Sequence, residues 1–196
     1  MIQLLFATQN QHKVAEIQAA VGTKIKVISL LEAGIDQDIP EPHETLEANA
    51  SEKSQVIFAM CQIPCFSEDT GLEVGALEGR PGVKSARYAG DERSFEKNTQ
   101  KVLAELLGIE TRMAQFRTVI SLIWGGKEYQ FEGICEGEIT LSPTGEKGFG
   151  YDPIFKPTGS DKTFAEMNTE EKNKFSHRRK AVDKLIEFLQ TETNTN

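Results

Sequence analysis

Glu68 and Asp69 are the residues around which chemistry is easiest to imagine in this chain. They stand side by side in Phe66-Ser67-Glu68-Asp69-Thr70-Gly71, directly after a short apolar run from Ile63 to Phe66. A strand that ends in two adjacent acids and a turn at Gly71 delivers side chains to the rim of a sheet, where α/β proteins place their chemistry. Adjacent carboxylates at a rim suit a divalent cation, because Mg²⁺ takes one or two protein carboxylates and fills its other positions with water and substrate phosphate. An exposed acidic turn gives the same local pattern, so the remaining segments have to decide between the two.

Thr8-Gln9-Asn10-Gln11-His12-Lys13 is the first of those segments. It follows the apolar run Ile2 to Ala7 and precedes Val14, Ile17, Ala20 and Val21 at helical spacing, which reads as strand, polar turn, helix. Free backbone N–H groups and the helix dipole favour an anion at such a helix start. Asn10 equally suits an N-cap and Lys13 a solvated charge. Nothing matches the G-x-x-x-x-G-K-[ST] phosphate loop. Further on, Ile39-Pro40-Glu41-Pro42 holds Glu41 in an extended loop. Thr45 can cap a helix whose apolar stripe is Leu46, Ala50, Ile57 and Met60, with Lys53 as the anomaly on that stripe. Lys53 either snorkels to water or points a charge at a ligand from the core-facing side. In Gly148-Phe149-Gly150-Tyr151-Asp152-Pro153, the glycines allow close backbone approach. Phe149 can either stack on a base or anchor the turn in the core.

The elements that must position these groups are legible in outline. Lys24 to Ser29 alternates as a second strand. Ser94 opens a helix carrying Phe95, Leu103, Leu106 and Leu107, with Gly108 as its C-cap. Met113 to Trp124 is a long strand. Gly125-Gly126 turns it back into an antiparallel partner from Glu128 to Cys135, which Ile139 to Leu141 extends. A hairpin beside strand-helix units implies an α/β protein with a mixed sheet. Asn168 and Glu171 have capping-box spacing. Ser176 opens a last helix with Val182, Leu185, Ile186 and Leu189 buried and His177 and Arg178 in its first turn, at the rim. Thr191 to Asn196 reads as a frayed tail.

The chain has 196 residues with a net charge of −8. No repeat or linker divides it, so residues 1–196 are expected to form one domain. The acidic balance argues against a duplex nucleic-acid partner but leaves room for a nucleotide held by a local basic cluster. The three cysteines, Cys61, Cys65 and Cys135, are an odd number without zinc-site spacing, and read as free thiols. The N-terminus has no secretory pattern and no apolar run reaches the ~20 residues of a membrane span. The expected setting is the cytosol.

Five separated stretches agree with one family. They are Thr8-x-Asn10-x-x-Lys13; Glu41 behind a proline; Ser67 to Gly71 with Arg80-Pro81-Gly82 and Ser85-Ala86-Arg87-Tyr88; Gly148 to Pro153; and Glu171-Lys172-Asn173 with Ser176-His177-Arg178. Together they resemble the inosine/xanthosine triphosphate pyrophosphatase family, over Leu5 to about Leu189. The resemblance implies Mg²⁺-dependent hydrolysis of damaged or non-standard purine nucleoside triphosphates (ITP, dITP, XTP) to monophosphate and pyrophosphate. It further implies an elongated mixed sheet flanked by helices, two lobes with a central cleft, and a homodimer. By the same resemblance, Thr8, Asn10 and Lys13 form a phosphate loop and Lys53 a further phosphate contact. Glu41 and Asp69 hold the metal, Asp69 is the general base, and Thr70 touches substrate. Phe149, Gly150, Tyr151, Asp152, Lys172, His177 and Arg178 form the base pocket. Two departures stand out. Gln9 occupies a position where many members carry Gly. Glu68 replaces Asp in some members, which makes it a second candidate metal ligand. A pyrophosphatase for modified pyrimidine nucleotides and a nucleotide-binding regulator without turnover are the alternatives, and a triphosphate panel separates them.

Overall fold

The computed structural model describes residues 2–23, 25–37 and 39–194. Lys24, which opens the second strand in the sequence reading, lies outside them, as do the last two residues of the tail. The elements in chain order are β1 (Ile2–Phe6), α1 (Gln11–Val21), β2 (Ile25–Ser29), α2 (Leu46–Cys61), β3 (Cys65–Val74), β4 (Pro81–Gly82), α3 (Phe95–Glu105), β5 (Met113–Trp124), β6 (Lys127–Ile139), β7 (Phe155–Pro157), α4 (Thr169–Asn173) and α5 (His177–Asn194).

The strands form a seven-stranded sheet in the order β2-β1-β3-β5-β6-β7, with β4 paired to β3. β1 runs parallel to β2 and to β3, whereas β3/β4 and β6/β7 are antiparallel. The fold is therefore α/β with a mixed sheet and flanking helices, as the hairpin beside strand-helix units requires. Gly125 and Gly126 take φ of 56° and 73° at the β5–β6 turn, the left-handed geometry that a tight hairpin demands and glycine supplies.

The chain forms two compact units, each assembled from separate stretches. The first contains the residues up to Asp69, Thr118–Gly133 and Arg178 onward; the second contains Thr70–Arg117 and Ile134–His177. In the first unit, side chains alternate along β1, so Leu4 and Phe6 enter one core and Leu5 and Ala7 another. The Phe6–Phe66 register stacks their rings at 4.4 Å. Val182, Leu185 and Leu189 of α5 close that side, matching the stripe read from sequence. The second unit is built on Leu72, Val74, Val102, Leu106, Phe116, Phe155 and Phe164.

Four elements differ from the sequence reading. β3 does not stop at the acids but continues to Val74, and Gly71 lies inside it rather than at a turn. A Cβ on Gly71 would meet the Gly82 carbonyl oxygen at 2.7 Å, so glycine is what lets β4 lie alongside β3. α3 closes at Glu105, with Gly108 (φ 77°) in the turn beyond it. β6 runs unbroken to Ile139. α5 continues to Asn194, into the stretch read as frayed. Met60, on the stripe of α2 by spacing, is 51% exposed, whereas Cys61 beside it packs against the core.

Candidate active site

Residues 68 and 69 are neighbours on a strand, so their side chains leave opposite faces of β3. Both are buried, at 2% and 6% exposure. Asp69 Oδ1 accepts a hydrogen bond from Lys53 Nζ at 3.3 Å, while its Oδ2 is buried and accepts none. The Lys53 ammonium also donates to Glu41 Oε1 at 2.6 Å and to the Glu68 carbonyl at 2.8 Å. An ammonium has three N–H donors, and these contacts use all of them.

Local structure explains why Lys53 arrives there. Thr45 caps α2 by accepting from Ala48 N at 3.2 Å. The Asn49 side chain accepts from His43 N and donates to His43 O, at 2.9 and 3.1 Å, and so ties the Glu41 loop to the helix. Ser67 Oγ donates to the Ala50 carbonyl and Cys65 Sγ to the Ser54 carbonyl, which seats α2 on β3. The electrostatics follow from this crowding. Burial pushes the Asp69 carboxyl above its ordinary range; Glu41 adds to that push, and Lys53 and Lys13 only partly offset it. Burial pulls the Lys53 ammonium down, but Asp69 and Glu41 outweigh it and hold the ammonium firmly charged.

On the other face, Glu68 is enclosed by cations. Arg178 donates Nε to Oε2 at 2.6 Å and Nη2 to Oε1 at 2.8 Å, a bidentate pair. Lys13 Nζ stands 3.1 Å from Oε1. Arg178 Nη1 donates to Glu16. The carboxylates raise the Arg178 guanidinium further despite its burial. Glu68 thus serves an ion-pair network on the face of β3 opposite Asp69. His177 and Arg178, expected at a rim, are each only 3% exposed. At the start of α1, Asn10 Oδ1 caps the helix by accepting from His12 N and Lys13 N at 3.0 and 3.2 Å, and Thr8 Oγ1 accepts from Asn10 N at 3.2 Å. The first unit therefore holds Thr8, Asn10, Lys13, Glu41, Lys53, Glu68, Asp69 and Arg178. Glu16 was missed in the sequence, although an acid one turn after Lys13 was a readable signal.

The second unit gathers the rest. Thr70 follows on β3, half-buried. Asp152 Oδ2 accepts from Lys172 Nζ at 2.7 Å and from Phe149 N at 3.0 Å. A Cβ on Gly148 would stand 2.0 Å from that same oxygen, and the residue has φ 74°, so the loop requires glycine there. The Lys172 ammonium lies 5.4 Å over the half-buried Phe149 ring and 5.2 Å over Phe164. The His177 ring stacks on Phe116 at 4.6 Å. Gly150 O accepts from Thr99 Oγ1 at 3.4 Å. Tyr151 is 4% exposed and its hydroxyl donates to the Ser85 carbonyl at 2.8 Å, which fixes the loop. Ser85, already part of the Ser85-Ala86-Arg87-Tyr88 stretch, anchors the loop with Thr99, which carried no signal in the sequence.

Glu41 and Asp69 offer hard oxygen donors, and a buried carboxylate oxygen without a hydrogen bond is costly unless a proton or cation meets it. That combination fits Mg²⁺, which needs no more than one or two protein carboxylates. No group of three acid, cysteine or histidine side chains converges as a metal cage among the described residues.

A family model, the Ham1 family, matches residues 4–188. A dITP/XTP pyrophosphatase of Flavobacterium johnsoniae is 48% identical over 188 residues, covering 96% of this chain and 98% of its own. One of Halalkalibacterium halodurans is 46% identical over 193 residues, covering 96% of this chain and 100% of its own. The solved Ham1 protein of Staphylococcus aureus superposes with a TM-score of 0.88 at 39% identity, over 97% of this chain and 99% of that one. The match runs through every segment that carries the cluster around Asp69, and this chain belongs to the Ham1 family.

Proposed function

We propose that the protein hydrolyses non-standard purine nucleoside triphosphates (ITP, dITP, XTP) to the monophosphate and pyrophosphate, with Mg²⁺ as cofactor. The observation that carries the reading is the Asp69 carboxylate: buried, with Oδ2 uncommitted, and packed between Lys53 and Glu41. The relatives' names give the substrate class.

Asp69 is the general base. Its Oδ2, which accepts no hydrogen bond within the protein, can accept a proton from water attacking the α-phosphorus. Glu41 and Asp69 would hold the cation, which when bound neutralises charge on the departing pyrophosphate. Lys13 and the N-terminal N–H groups of α1 favour phosphate, with Thr8 and Asn10 shaping the turn. Phe149 supplies a ring face for the base, Asp152 and Lys172 fix its loop, and Thr70, Gly150 and His177 line the substrate. Arg178 reads the purine 6-oxygen on exchanging a carboxylate; Glu16, with a side chain 22% exposed, is the more accessible of its two partners. The family likeness extends the reading to a homodimer in the cytosol. Among the described residues no helix is long and apolar enough to cross a membrane.

The test is pyrophosphate release from ITP, XTP, GTP, ATP and dUTP, with and without Mg²⁺. The proposal expects ITP and XTP to be strongly preferred and release to need the cation. Faster release from modified pyrimidines would move the substrate class. Tight binding without release would make the protein a nucleotide-binding regulator.

A further inference from the structure

The Lys53 ammonium occupies an unusual place. It bonds at once to Glu41 Oε1, to Asp69 Oδ1 and to the Glu68 carbonyl, with a side chain 8% exposed. Every one of these partners is an oxygen, and two are carboxylates that would also suit a divalent ion. Two carboxylates brought together with no cation repel one another; a fixed internal cation holds them together without one. The third contact, to a backbone carbonyl of β3, leaves the ammonium no free N–H for a phosphate. Without nucleotide, Lys53 is therefore a counter-ion for the acids.

We infer that Lys53 is the resident cation of the Glu41–Asp69 pair, and that it keeps a free divalent ion out of the nucleotide-free protein. A second positive charge brought against the same two carboxylates meets the ammonium at contact distance, and like-charge repulsion in a buried site is scarcely screened. A triphosphate changes the balance. Its oxygens give the ammonium anionic partners to turn toward, Glu41 and Asp69 lose their counter-ion, and the divalent ion enters with the substrate. Lys53 is thus a positioning residue for the acids before binding and an exchange partner during it. The inference rests on the proposed metal-dependent reading only for the identity of the incoming ion. It makes a separate claim about the protein without nucleotide.

The experiment is a Mn²⁺ titration of the full-length, nucleotide-free protein, following free Mn²⁺ by electron paramagnetic resonance. Lys53→Met keeps the length and apolar stem of the side chain and removes the charge. Wild type should bind Mn²⁺ weakly, and Lys53→Met should bind one equivalent at least tenfold more tightly. The gain should vanish when Asp69→Asn is added to Lys53→Met. A gain below tenfold, or one that survives Asp69→Asn, overturns the inference. Should Lys53→Met fail to fold, Lys53→Gln is titrated against the same tenfold criterion. This readout needs no turnover. Failure to release pyrophosphate from ITP would sink the proposed function and leave the Mn²⁺ result standing on its own.

Discussion

Asp69 and Arg178 show how differently two buried charges can be used. Asp69 keeps one carboxylate oxygen uncommitted, so replacing it should affect turnover far more than folding. Asp69→Asn is isosteric and should lower kcat for ITP by at least the ~10²-fold typical of a general base, with Tm little changed. A variant that keeps most of its activity removes Asp69 from the mechanism. Arg178 is the opposite case, with its guanidinium spent on Glu68 and Glu16. Arg178→Ala leaves the Glu68 carboxylate buried without its bidentate partner, a situation that typically costs ~3–5 kcal/mol. The expected result is a large fall in Tm, partly restored by adding Glu68→Gln, which calorimetry on the single and double variants would show. Only against that background can a changed ITP/ATP ratio be assigned to base reading. The sequence made Asp69 visible as one of two adjacent acids directly after an apolar run, and Lys53 as a lysine on an apolar stripe. It could not show the partner of Arg178, because Glu68 lies 110 residues away and nothing local links them.

Elements were readable where a local rule governs them. The Thr45, Ser94 and Asn168 caps, the glycine pair of the hairpin and the α5 stripe all appear as expected. Gly71 was misread because its reason is non-local, the approach of the Gly82 carbonyl. Helix α2 matters most, since it carries Lys53. One side of it is pinned to the β5–β6 hairpin by Glu128, which accepts from Ser51 Oγ at 3.0 Å, Gln55 Nε2 at 2.9 Å, Ser121 Oγ at 2.8 Å and Gln130 Nε2 at 3.1 Å. Burial acts to raise the Glu128 carboxyl, but these donors prevail and hold it below its ordinary 4.5. A carboxyl depressed in the folded state adds stability above its unfolded pKa, and that stability is lost as pH falls through the folded value. Glu128→Gln should therefore lower Tm at pH 7 by a few degrees, corresponding to about 1 kcal/mol. The gap between variant and wild type should close as pH drops below 4.5. Thermal melts from pH 7 to pH 3 provide the check; a gap that stays constant would mean the charge of Glu128 contributes nothing.

At the scale of the molecule, neither unit is a continuous piece of chain. The path leaves the first unit after Asp69, returns at Thr118, leaves again after Gly133 and returns at Arg178. Three of those crossings fall inside β3, β5 and β6, and the fourth falls at the second residue of α5. We propose that the two units fold as one domain, because the chain passes between them within elements rather than through linkers. A unit assembled from distant stretches cannot complete its core until all of them are in place. The first unit's core needs Phe6, Phe66, Ile120 and Leu185 together, and the second needs Leu72, Phe116 and Phe155. Disrupting one unit also releases strands whose other halves belong to its neighbour. The expected outcome is a single cooperative unfolding transition with calorimetric and van't Hoff enthalpies in agreement. Limited proteolysis near residues 69, 117 or 133 should yield no stably folded fragment. A Leu185→Ala cavity in the first unit, costing ~2–5 kcal/mol, should lower the one Tm without splitting the transition. Two resolved transitions, with only one of them moved by Leu185→Ala, would show that the units unfold independently despite sharing their strands.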